Sequence, residues 1–278
     1  MANFAPDESF PPVTNICHAE NVGTLSLFDL TGKTALVTGG NGGIGSGMAR
    51  GLAEAGADII IIQIPGEVST FASDLAAATG RLVDVYDCDL GKSDVIRTTV
   101  AQILERDGRQ VDILCNCAGI TGGFVPILSE TDEHRESFKS IIMQSTFYRI
   151  LFGRHMAERG LGGKIINIAS LAAERSLTRF SVYEPIKAAV GQLTNWLSTE
   201  LAVYNIQVNC LYPGWTHTPL SQKTTENAEV SNKIISGVPA GRWGKPQDFK
   251  GVTVFLASSA SDYITGARIW VDCGAHSM

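Results

Sequence analysis

The sequence has no excess of positively charged residues and no long hydrophobic run. Its 22 lysines and arginines are outnumbered by 28 aspartates and glutamates, which gives a formal net charge of −6. Proteins that bind nucleic acid usually carry a strongly basic face, so this balance disfavours a nucleic-acid partner. No stretch approaches the ~18 apolar residues that a membrane-crossing helix requires, so we expect no membrane partner either.

Features of a targeting segment and of a metal or disulfide framework are also missing. The first residues, MANFAPDESFPPVTN, have neither a basic nor a continuous apolar region, so we expect no signal peptide. The six cysteines are Cys17, Cys88, Cys115, Cys117, Cys210 and Cys273. They lack zinc-ligand spacing, and most lie in or beside apolar, strand-like runs. We therefore expect buried, reduced thiols, no metal and a cytoplasmic location.

From Lys33 onward, short apolar runs alternate with longer amphipathic segments. We predict seven strands, TALVT, ADIIIIQI, RLVDVYD, VDILCN, KIINIA, IQVNCLY and RIWVD. Helices are predicted at 44–56, 68–80, 93–108, 133–159 and 181–204. Near-continuous apolar strands separated by helices are typical of a parallel sheet covered on both faces. The sequence thus predicts a single α/β domain with a Rossmann-type, doubly wound, seven-stranded parallel sheet.

Two segments depart from this alternation. Residues 1–30 contain prolines and show no periodicity, so we expect an N-terminal arm that precedes the domain of residues 31–278. The polar segment at about 214–240 is long for a plain connection. We expect a substrate lid there, and an exposed helix with solvated charges is the alternative.

A glycine-rich turn separates the first predicted strand from the first predicted helix. The sequence TGGNGGIG places Gly39, Gly43 and Gly45 in the pattern T-G-x-x-x-G-x-G. Glycine at these positions lets the backbone approach a pyrophosphate closely, and the helix N-terminus supplies free N–H groups. Because the turn lies between a strand and a helix, it predicts dinucleotide binding.

The end of the second strand is expected to meet the adenosine ribose. Gln63 stands there, 24 residues after Gly39, where an NAD-selective site usually has an acidic residue. Gln63 can hydrogen-bond to a hydroxyl group but neither repels nor pairs with a 2′-phosphate. The nearby Asn41, Gly42 and Ile64 are not basic. The cofactor is therefore NAD or NADP, with the charges favouring NAD weakly.

Tyr183 and Lys187 are spaced to lie on one face of the helix that they begin. Tyrosine ordinarily has a pKa of about 10, so acid–base catalysis at neutral pH needs a nearby cation to stabilise the phenolate. Lys187 has the spacing to supply that cation. Ser170 ends the fifth strand, thirteen residues before Tyr183. A Tyr-x-x-x-Lys pair alone also occurs by chance on surface helices.

Together with the strand order, these motifs resemble the short-chain dehydrogenase/reductase family over residues 33–274. The matching motifs are TGGNGGIG, Asp89–Leu90, NCAG at 116–119, Ser170, YEPIK and PGWTHT at 213–218. The resemblance implies an NAD(P)-dependent oxidoreductase that interconverts a secondary alcohol and a ketone. The C-terminal segment is most similar to the sugar-acid branch, typified by 2-deoxy-D-gluconate 3-dehydrogenase and gluconate 5-dehydrogenase. A homodimer or homotetramer packed through two long helices is also implied.

The resemblance also implies roles for the matching residues. Tyr183 would be the proton donor or acceptor, Lys187 would lower the pKa of Tyr183 and hold the nicotinamide ribose, and Ser170 would polarise the substrate oxygen. Tyr183 and Lys187 are both implied to bind the cofactor as well. The other implied cofactor-binding residues are Gly39, Asn41, Gly43, Ile44, Gly45, Gln63, Asp89, Leu90, Asn116, Ala118, Gly119, Pro213, Gly214 and Thr218.

Three positions depart from the family pattern. The usual active-site asparagine of the long helix is absent near Ile142, where Gln144 is the nearest amide. Ile186 is larger than the residue usual before the lysine, and Cys273 replaces a glycine. The missing asparagine keeps open a non-redox acid–base enzyme, such as a dehydratase or isomerase. A nucleotide-binding protein without catalysis is a further alternative.

Two smaller signals concern the substrate. Arg175 and Arg179 lie in the loop that follows the fifth strand, and one hypothesis is that either pairs with a substrate carboxylate. The alternative is two solvated surface arginines. Trp215 and Trp243 are interpreted either as an apolar wall of the substrate site or as core residues.

Overall fold

A computed structural model describes residues 10, 13, 22–105, 110–120, 125–133, 136 and 150–278. Its strands are β1 (Thr34–Thr38), β2 (Asp58–Gln63), β3 (Val83–Asp87), β4 (Ile113–Asn116), β5 (Gly163–Ile168), β6 (Ile206–Pro213) and β7 (Arg268–Val271). They form one sheet in the order β3-β2-β1-β4-β5-β6-β7, and every neighbouring pair is parallel. The predicted doubly wound, seven-stranded parallel sheet is confirmed.

The helices are α1 (Gly43–Glu54), α2 (Phe71–Thr79), α3 (Ser93–Glu105), α4 (described over 150–159), α5 (Tyr183–Leu201), α6 (Gln222–Glu226), α7 (Ala228–Ile235) and α8 (Lys250–Ala257). Of the predicted long helix at 133–159, the described residues 133, 136 and 150–159 are helical. The positions of interest within it, Ile142 and Gln144, lie outside the described residues. In the described part of the chain, no helix combines the length and apolarity needed to cross a membrane.

Helices cover both faces of the sheet because the central strands are apolar on both sides. In β1, Ala35 and Val37 belong to one hydrophobic cluster and Leu36 to the other. The first cluster includes residues of α1 and α8, whereas the second includes residues of α3, α4 and α5. Because successive side chains of a strand point to opposite faces, this division follows directly from an uninterrupted apolar strand.

Helix α8 is the main element that the sequence did not predict. It is only eight residues long and contains β-branched residues, which have low intrinsic helix propensity. Its position is determined by close packing on α1: a Cβ atom placed on Gly51 would lie 2.9 Å from the Cα of Lys250. A tertiary contact of this kind leaves no periodic signal in the helix that depends on it.

Residues 1–30 and 214–240 depart from the predicted alternation, and the structure describes the first segment in part and the second in full. In the N-terminal segment, the ring of Phe10 packs edge-on against Tyr204, with the centroids 6.2 Å apart, and Leu30 is buried in the core. The segment at 214–240 contains α6 and α7, which follow a 3₁₀ turn at Pro219–Ser221. The roles of arm and lid stay predictions.

Candidate active site

The residues singled out from the sequence gather where the parallel strands end. Gly39 follows β1 and Ala118 follows β4. These two strands are neighbours in the sheet, and the strand order reverses between them, with β2 and β3 on one side and β5, β6 and β7 on the other. A Cβ atom placed on Gly39 would lie 3.2 Å from the Cα of Ala118, so the two loops are in close contact. In open α/β sheets, ligands bind at such a switch point of strand order.

The turn between β1 and α1 fits the pyrophosphate of a dinucleotide. Gly39 has a φ of +65°, which favours glycine. A Cβ atom placed on Gly45 would lie 2.8 Å from the carbonyl carbon of Gly39, so a side chain there would fill the cradle. Within the described chain, no side chain caps α1 at Gly42, and its first turn has no acidic residue. The N–H groups of this turn and the helix dipole are therefore suited to an anion.

The loop after β4 is held by Thr38, the last residue of β1. Its hydroxyl oxygen accepts hydrogen bonds from the backbone N–H groups of Cys117 and Ala118, each at 3.0 Å. Burial raises the pKa of the Cys117 thiol to about 12, and the nearby ammonium group of Lys187 opposes that rise. Cys117 is therefore a protonated thiol at neutral pH. Thr38 is not among the site residues predicted from the sequence.

Asn116 has a buried side chain that points into the fold. Its amide nitrogen donates to Oδ1 of Asn167 on β5 at 3.0 Å, and the amide nitrogen of Asn167 donates to the hydroxyl of Thr194 on α5 at 2.9 Å. This chain of buried hydrogen bonds links β4 and β5, which lead to Ala118 and to Ser170, with α5, which begins with Tyr183. Asn116 thus positions the loop that contains Ala118 and Gly119, both of which are exposed.

Tyr183 and Lys187 begin α5 and project toward the same space. The Nζ of Lys187 lies 5.5 Å from the ring centroid of Tyr183, and it donates to the carbonyl oxygen of Ile168 at 3.0 Å. A Cβ atom placed on Gly119 would lie 3.8 Å from this Nζ, so the buried lysine reaches the loop after β4. The ring of Phe180 packs edge-on against Tyr183 with the centroids 5.9 Å apart.

Ser170 lies at the end of β5, just before a 3₁₀ turn at Leu171–Ala173. Its hydroxyl oxygen accepts a hydrogen bond from the backbone N–H of Ala172 at 3.1 Å. A serine hydroxyl is both an acceptor and a donor, so this bond leaves its proton as a donor toward a substrate oxygen. The contact suits the role expected for Ser170.

The segment that follows β6 lies beside the glycine-rich turn between β1 and α1. Pro213 is buried, and the N–H of Gly214 donates to the carbonyl oxygen of Val271 at 3.0 Å. A Cβ atom placed on Gly43 would lie 3.4 Å from the side chain of Thr218. The first residues of the predicted lid therefore lie beside the N-terminus of α1, where Ile44 also lies.

At the adenosine end, three polar side chains form a chain of hydrogen bonds. The amide nitrogen of Asn41 donates to Oε1 of Gln63 at 3.0 Å, and Nε2 of Gln63 donates to Oδ1 of Asp87 at 2.8 Å. The same Nε2 donates to the carbonyl oxygen of Glu67 at 3.0 Å. Asn41 and Gln63 are among the site residues predicted from the sequence, whereas Asp87 is not.

Asp89 and Leu90 follow β3 at the same end of the sheet. The Asp89 carboxylate accepts a hydrogen bond from the backbone N–H of Gly91 at 2.9 Å and pairs with Lys92 at 3.2 Å. The hydrogen bond from Gly91, and then the one from Lys92, lower the pKa of Asp89. Its carboxylate is therefore ionised at neutral pH. Leu90 packs against the hydrophobic core.

The two arginines of the loop after β5 have different environments. Nη1 of Arg175 donates to the carbonyl oxygen of Ala275 at 2.5 Å, which ties this half-buried side chain to the C-terminal segment. Arg179 is exposed and has a φ of +71°, an uncommon value for a residue other than glycine. Of the two, Arg179 is the better placed to bind a ligand.

Trp215 and Trp243 pack edge-on, with their ring centroids 6.0 Å apart. The indole N–H of Trp243 donates to the hydroxyl of Ser231 on α7 at 2.9 Å. Trp243 also lines a cavity of about 420 Å³, together with His217, Thr225, Ser231, Lys245, Pro246 and Gln247. The tryptophans thus connect the predicted lid to the segment before α8.

The departures from the family pattern are accommodated in different ways. Ile186 is buried, with 1% of its surface exposed. Cys273 has a φ of +57°, so it occupies the left-handed conformation that favours the glycine it replaces. Cys88, Cys115 and Cys210 are buried, as predicted, whereas Cys117 and Cys273 are half-buried and Cys17 lies outside the described residues. Among the described residues, no group of three or more His, Cys, Asp or Glu side chains is arranged to hold a metal ion.

A parallel sheet with a glycine-rich turn at its switch point and a Tyr–Lys pair alongside is the arrangement expected of oxidoreductases that use NAD or NADP. The chain belongs to the short-chain dehydrogenase/reductase family, as predicted. A family model described as enoyl-(acyl carrier protein) reductase matches residues 30–276.

Individual relatives are similar to this chain over nearly their whole length. The 2-dehydro-3-deoxy-D-gluconate 5-dehydrogenase of Dickeya dadantii is 38% identical over 251 residues, which cover 90% of this chain and 98% of that enzyme. The gluconate 5-dehydrogenase of Gluconobacter oxydans is 33% identical, with 89% and 96% covered. A crystal structure of gluconate 5-dehydrogenase from Burkholderia cenocepacia, in complex with NADP and tartrate, has a TM-score of 0.86 and 35% identity and covers 92% of this chain and 100% of that one. The prediction of an NAD(P)-dependent oxidoreductase is confirmed.

Proposed function

We propose that this enzyme interconverts a secondary alcohol and a ketone on a sugar acid of the gluconate type. The relatives named 2-dehydro-3-deoxy-D-gluconate 5-dehydrogenase and gluconate 5-dehydrogenase support this substrate class. The observation that carries the chemistry is the placement of Lys187, whose Nζ lies 5.5 Å from the ring centroid of Tyr183. A cation in this position stabilises negative charge on a phenol.

The proposed roles follow from the contacts of each side chain. Tyr183 accepts the proton of the substrate hydroxyl during oxidation and returns it to the carbonyl oxygen during reduction. Lys187 stabilises the phenolate, and Ser170 donates a hydrogen bond to the same substrate oxygen. When bound, the nicotinamide ring gives or takes the hydride. We propose that the dinucleotide that carries this ring binds at the fourteen further positions from Gly39 to Thr218 that the family resemblance implies. Among these, Asn116 acts mainly through the loop that it positions.

We propose that Arg179 binds the carboxylate of the sugar acid. The residue is exposed in the loop between Ser170 and Tyr183, whereas Arg175 of the same loop is tied to Ala275. A guanidinium group can hold a carboxylate with two parallel hydrogen bonds. Arg179 would then orient the substrate chain relative to the acid–base pair.

Replacing Arg179 with alanine is expected to raise KM for an acidic substrate by about 10- to 100-fold, the value of one or two hydrogen bonds between charged groups. The assay follows the absorbance of reduced nicotinamide with 2-dehydro-3-deoxy-D-gluconate, D-gluconate and a neutral polyol. KM for the neutral polyol should stay unchanged, and an equal rise for acidic and neutral substrates would contradict the clamp. Turnover of the acid without any nicotinamide cofactor would contradict the proposed redox chemistry.

We also propose a homodimer or homotetramer packed through α4 and α5. Ile150 on α4 and Trp196 on α5 support this, because both are large apolar residues with 41% and 49% of their surface exposed. Light scattering on the purified protein should give two or four times the 29.7 kDa chain mass. Replacing Trp196 with aspartate should reduce that mass, and a monomeric wild type would refute the assembly. A cytoplasmic location is proposed because the five described cysteines form no disulfide with one another.

A further inference from the structure

We propose that Asp87, at the end of β3, makes this enzyme prefer NAD to NADP. In many NAD enzymes an acidic residue near the end of β2 receives the 2′-hydroxyl of the adenosine ribose. Here that strand ends in the uncharged Gln63, and the carboxylate comes from the neighbouring strand. This inference rests on the proposed function, since it concerns how the same enzyme selects its dinucleotide.

Sheet register places Asp87 beside Gln63. The two residues are direct partners in the parallel pairing of β2 with β3, and both are the last residues of their strands. Nε2 of Gln63 donates to Oδ1 of Asp87 at 2.8 Å, so the amide holds the carboxylate at the edge where the ribose is expected. The Asp87 carboxylate therefore lies next to the position that determines dinucleotide preference in this fold.

The hydrogen bonds of Gln63 determine which polar groups Gln63 and Asp87 present to a ligand. A glutamine amide has two N–H donors, and here one is directed to Asp87 and the other to the carbonyl oxygen of Glu67. Oε1 of Gln63 accepts from Asn41, which retains one further amide N–H. Gln63 and Asp87 thus present acceptor oxygens. A 2′-hydroxyl can donate to such acceptors, whereas a 2′-phosphate requires donors or cations.

The cations of the neighbouring segments already have partners of their own. Segments 39–45 and 63–68, which contain or adjoin Asn41 and Gln63, have neither lysine nor arginine. Arg50 lies over the ring of Phe71, with its guanidinium carbon 5.8 Å from the centroid, and Arg81 donates to the carbonyl oxygen of Gly56. Lys92, which follows β3, pairs with Asp89 at 3.2 Å. The charge of Asp87 would therefore repel a phosphate.

The test measures binding of NAD and NADP to the substrate-free protein by isothermal titration calorimetry. Wild type is expected to bind NAD at least about tenfold more tightly than NADP, since a carboxylate and a phosphate a few ångströms apart near a surface repel by about 1–2 kcal/mol. Asp87→Asn removes the charge and keeps the shape, and it should tighten NADP binding by about tenfold. Its effect on NAD should stay within about threefold, the loss of one weak hydrogen bond.

Asp84→Asn is the matched control. It removes the same charge from the same strand, three residues earlier and toward the opposite end of β3, so the ratio of the two affinities should stay at its wild-type value. Thermal unfolding of each variant checks that the exposed Asp87 position tolerates the change, and Asp87→Ser provides a second neutral variant.

The possible failures are distinguishable. If wild type binds both dinucleotides and neither neutral variant changes their affinity ratio relative to Asp84→Asn, the assignment to Asp87 is wrong while the proposed function stands. Stronger binding of NADP than of NAD by wild type would also overturn it. If neither dinucleotide binds, the proposed function itself is wrong.

Discussion

Replacing Tyr183 with phenylalanine is expected to lower kcat by about a thousandfold, the typical value of general acid–base catalysis. The variant loses only the hydroxyl that transfers the proton. The ring remains, so its edge-on packing against Phe180 and its contact with Lys187 are retained. Dinucleotide affinity should therefore stay within about twofold of wild type, which separates a chemical defect from a binding defect.

Tyr212→Phe is the control for this experiment. Tyr212 lies on β6, and burial raises the pKa of its hydroxyl to about 12. A hydroxyl of that pKa stays protonated at neutral pH and is unsuited to proton transfer. We expect near-normal kcat for Tyr212→Phe, measured from reduced-nicotinamide absorbance at saturating substrate. Full activity of Tyr183→Phe would remove Tyr183 from the mechanism.

The sheet could be predicted from the sequence because its strands are apolar on both faces. In β2, Ile59, Ile60, Ile61 and Ile62 are all buried, and such a run has no polar alternation to suggest a half-exposed strand. The strands found in the structure begin and end within two residues of those predicted. Their β-branched residues and flanking glycines mark each strand locally, without reference to its neighbours.

Features that depend on contacts between distant segments were missed. Helix α8 depends on its packing against the glycine-containing face of α1, and its own short sequence does not reveal this. Asp87 becomes relevant only when β3 is known to lie beside β2, with Gln63 and Asp87 in register. No spatial order of the strands was predicted from the sequence, so the pairing of β2 with β3 became known only from the structure.

Side-chain direction is a second limit on what the sequence predicts. Asn116 belongs to a motif that resembles cofactor-binding loops, yet its amide is buried and bonded to Asn167. The motif identifies the loop as a candidate cofactor loop but does not tell which of its members would face a ligand and which support the loop. The same limit applied to Arg175 and Arg179, which only the structure distinguishes.

Replacing Gly45 with alanine is expected to weaken NAD binding by about ten- to a hundredfold. The new Cβ would overlap the carbonyl oxygen of Gly39 and lie 2.8 Å from its carbonyl carbon, so the backbone must move. Overpacking of this kind costs about 1–3 kcal/mol, and here the displaced groups are those that face the pyrophosphate. We expect calorimetry to show the lost affinity, and thermal unfolding to show a moderately less stable fold.

Gly42→Ala tests whether the position of the new methyl group matters. Gly42 is the N-cap of α1, with φ of −143° and ψ of 163°, an extended conformation that alanine adopts readily. A Cβ atom placed there would have no described heavy atom within 4 Å. Because this variant adds the same methyl group three residues away without a clash, its NAD affinity should fall by no more than about threefold. Equal losses of NAD affinity in the two variants would contradict a role for the close packing of Gly45 against Gly39. The pyrophosphate site would then have to be assigned elsewhere.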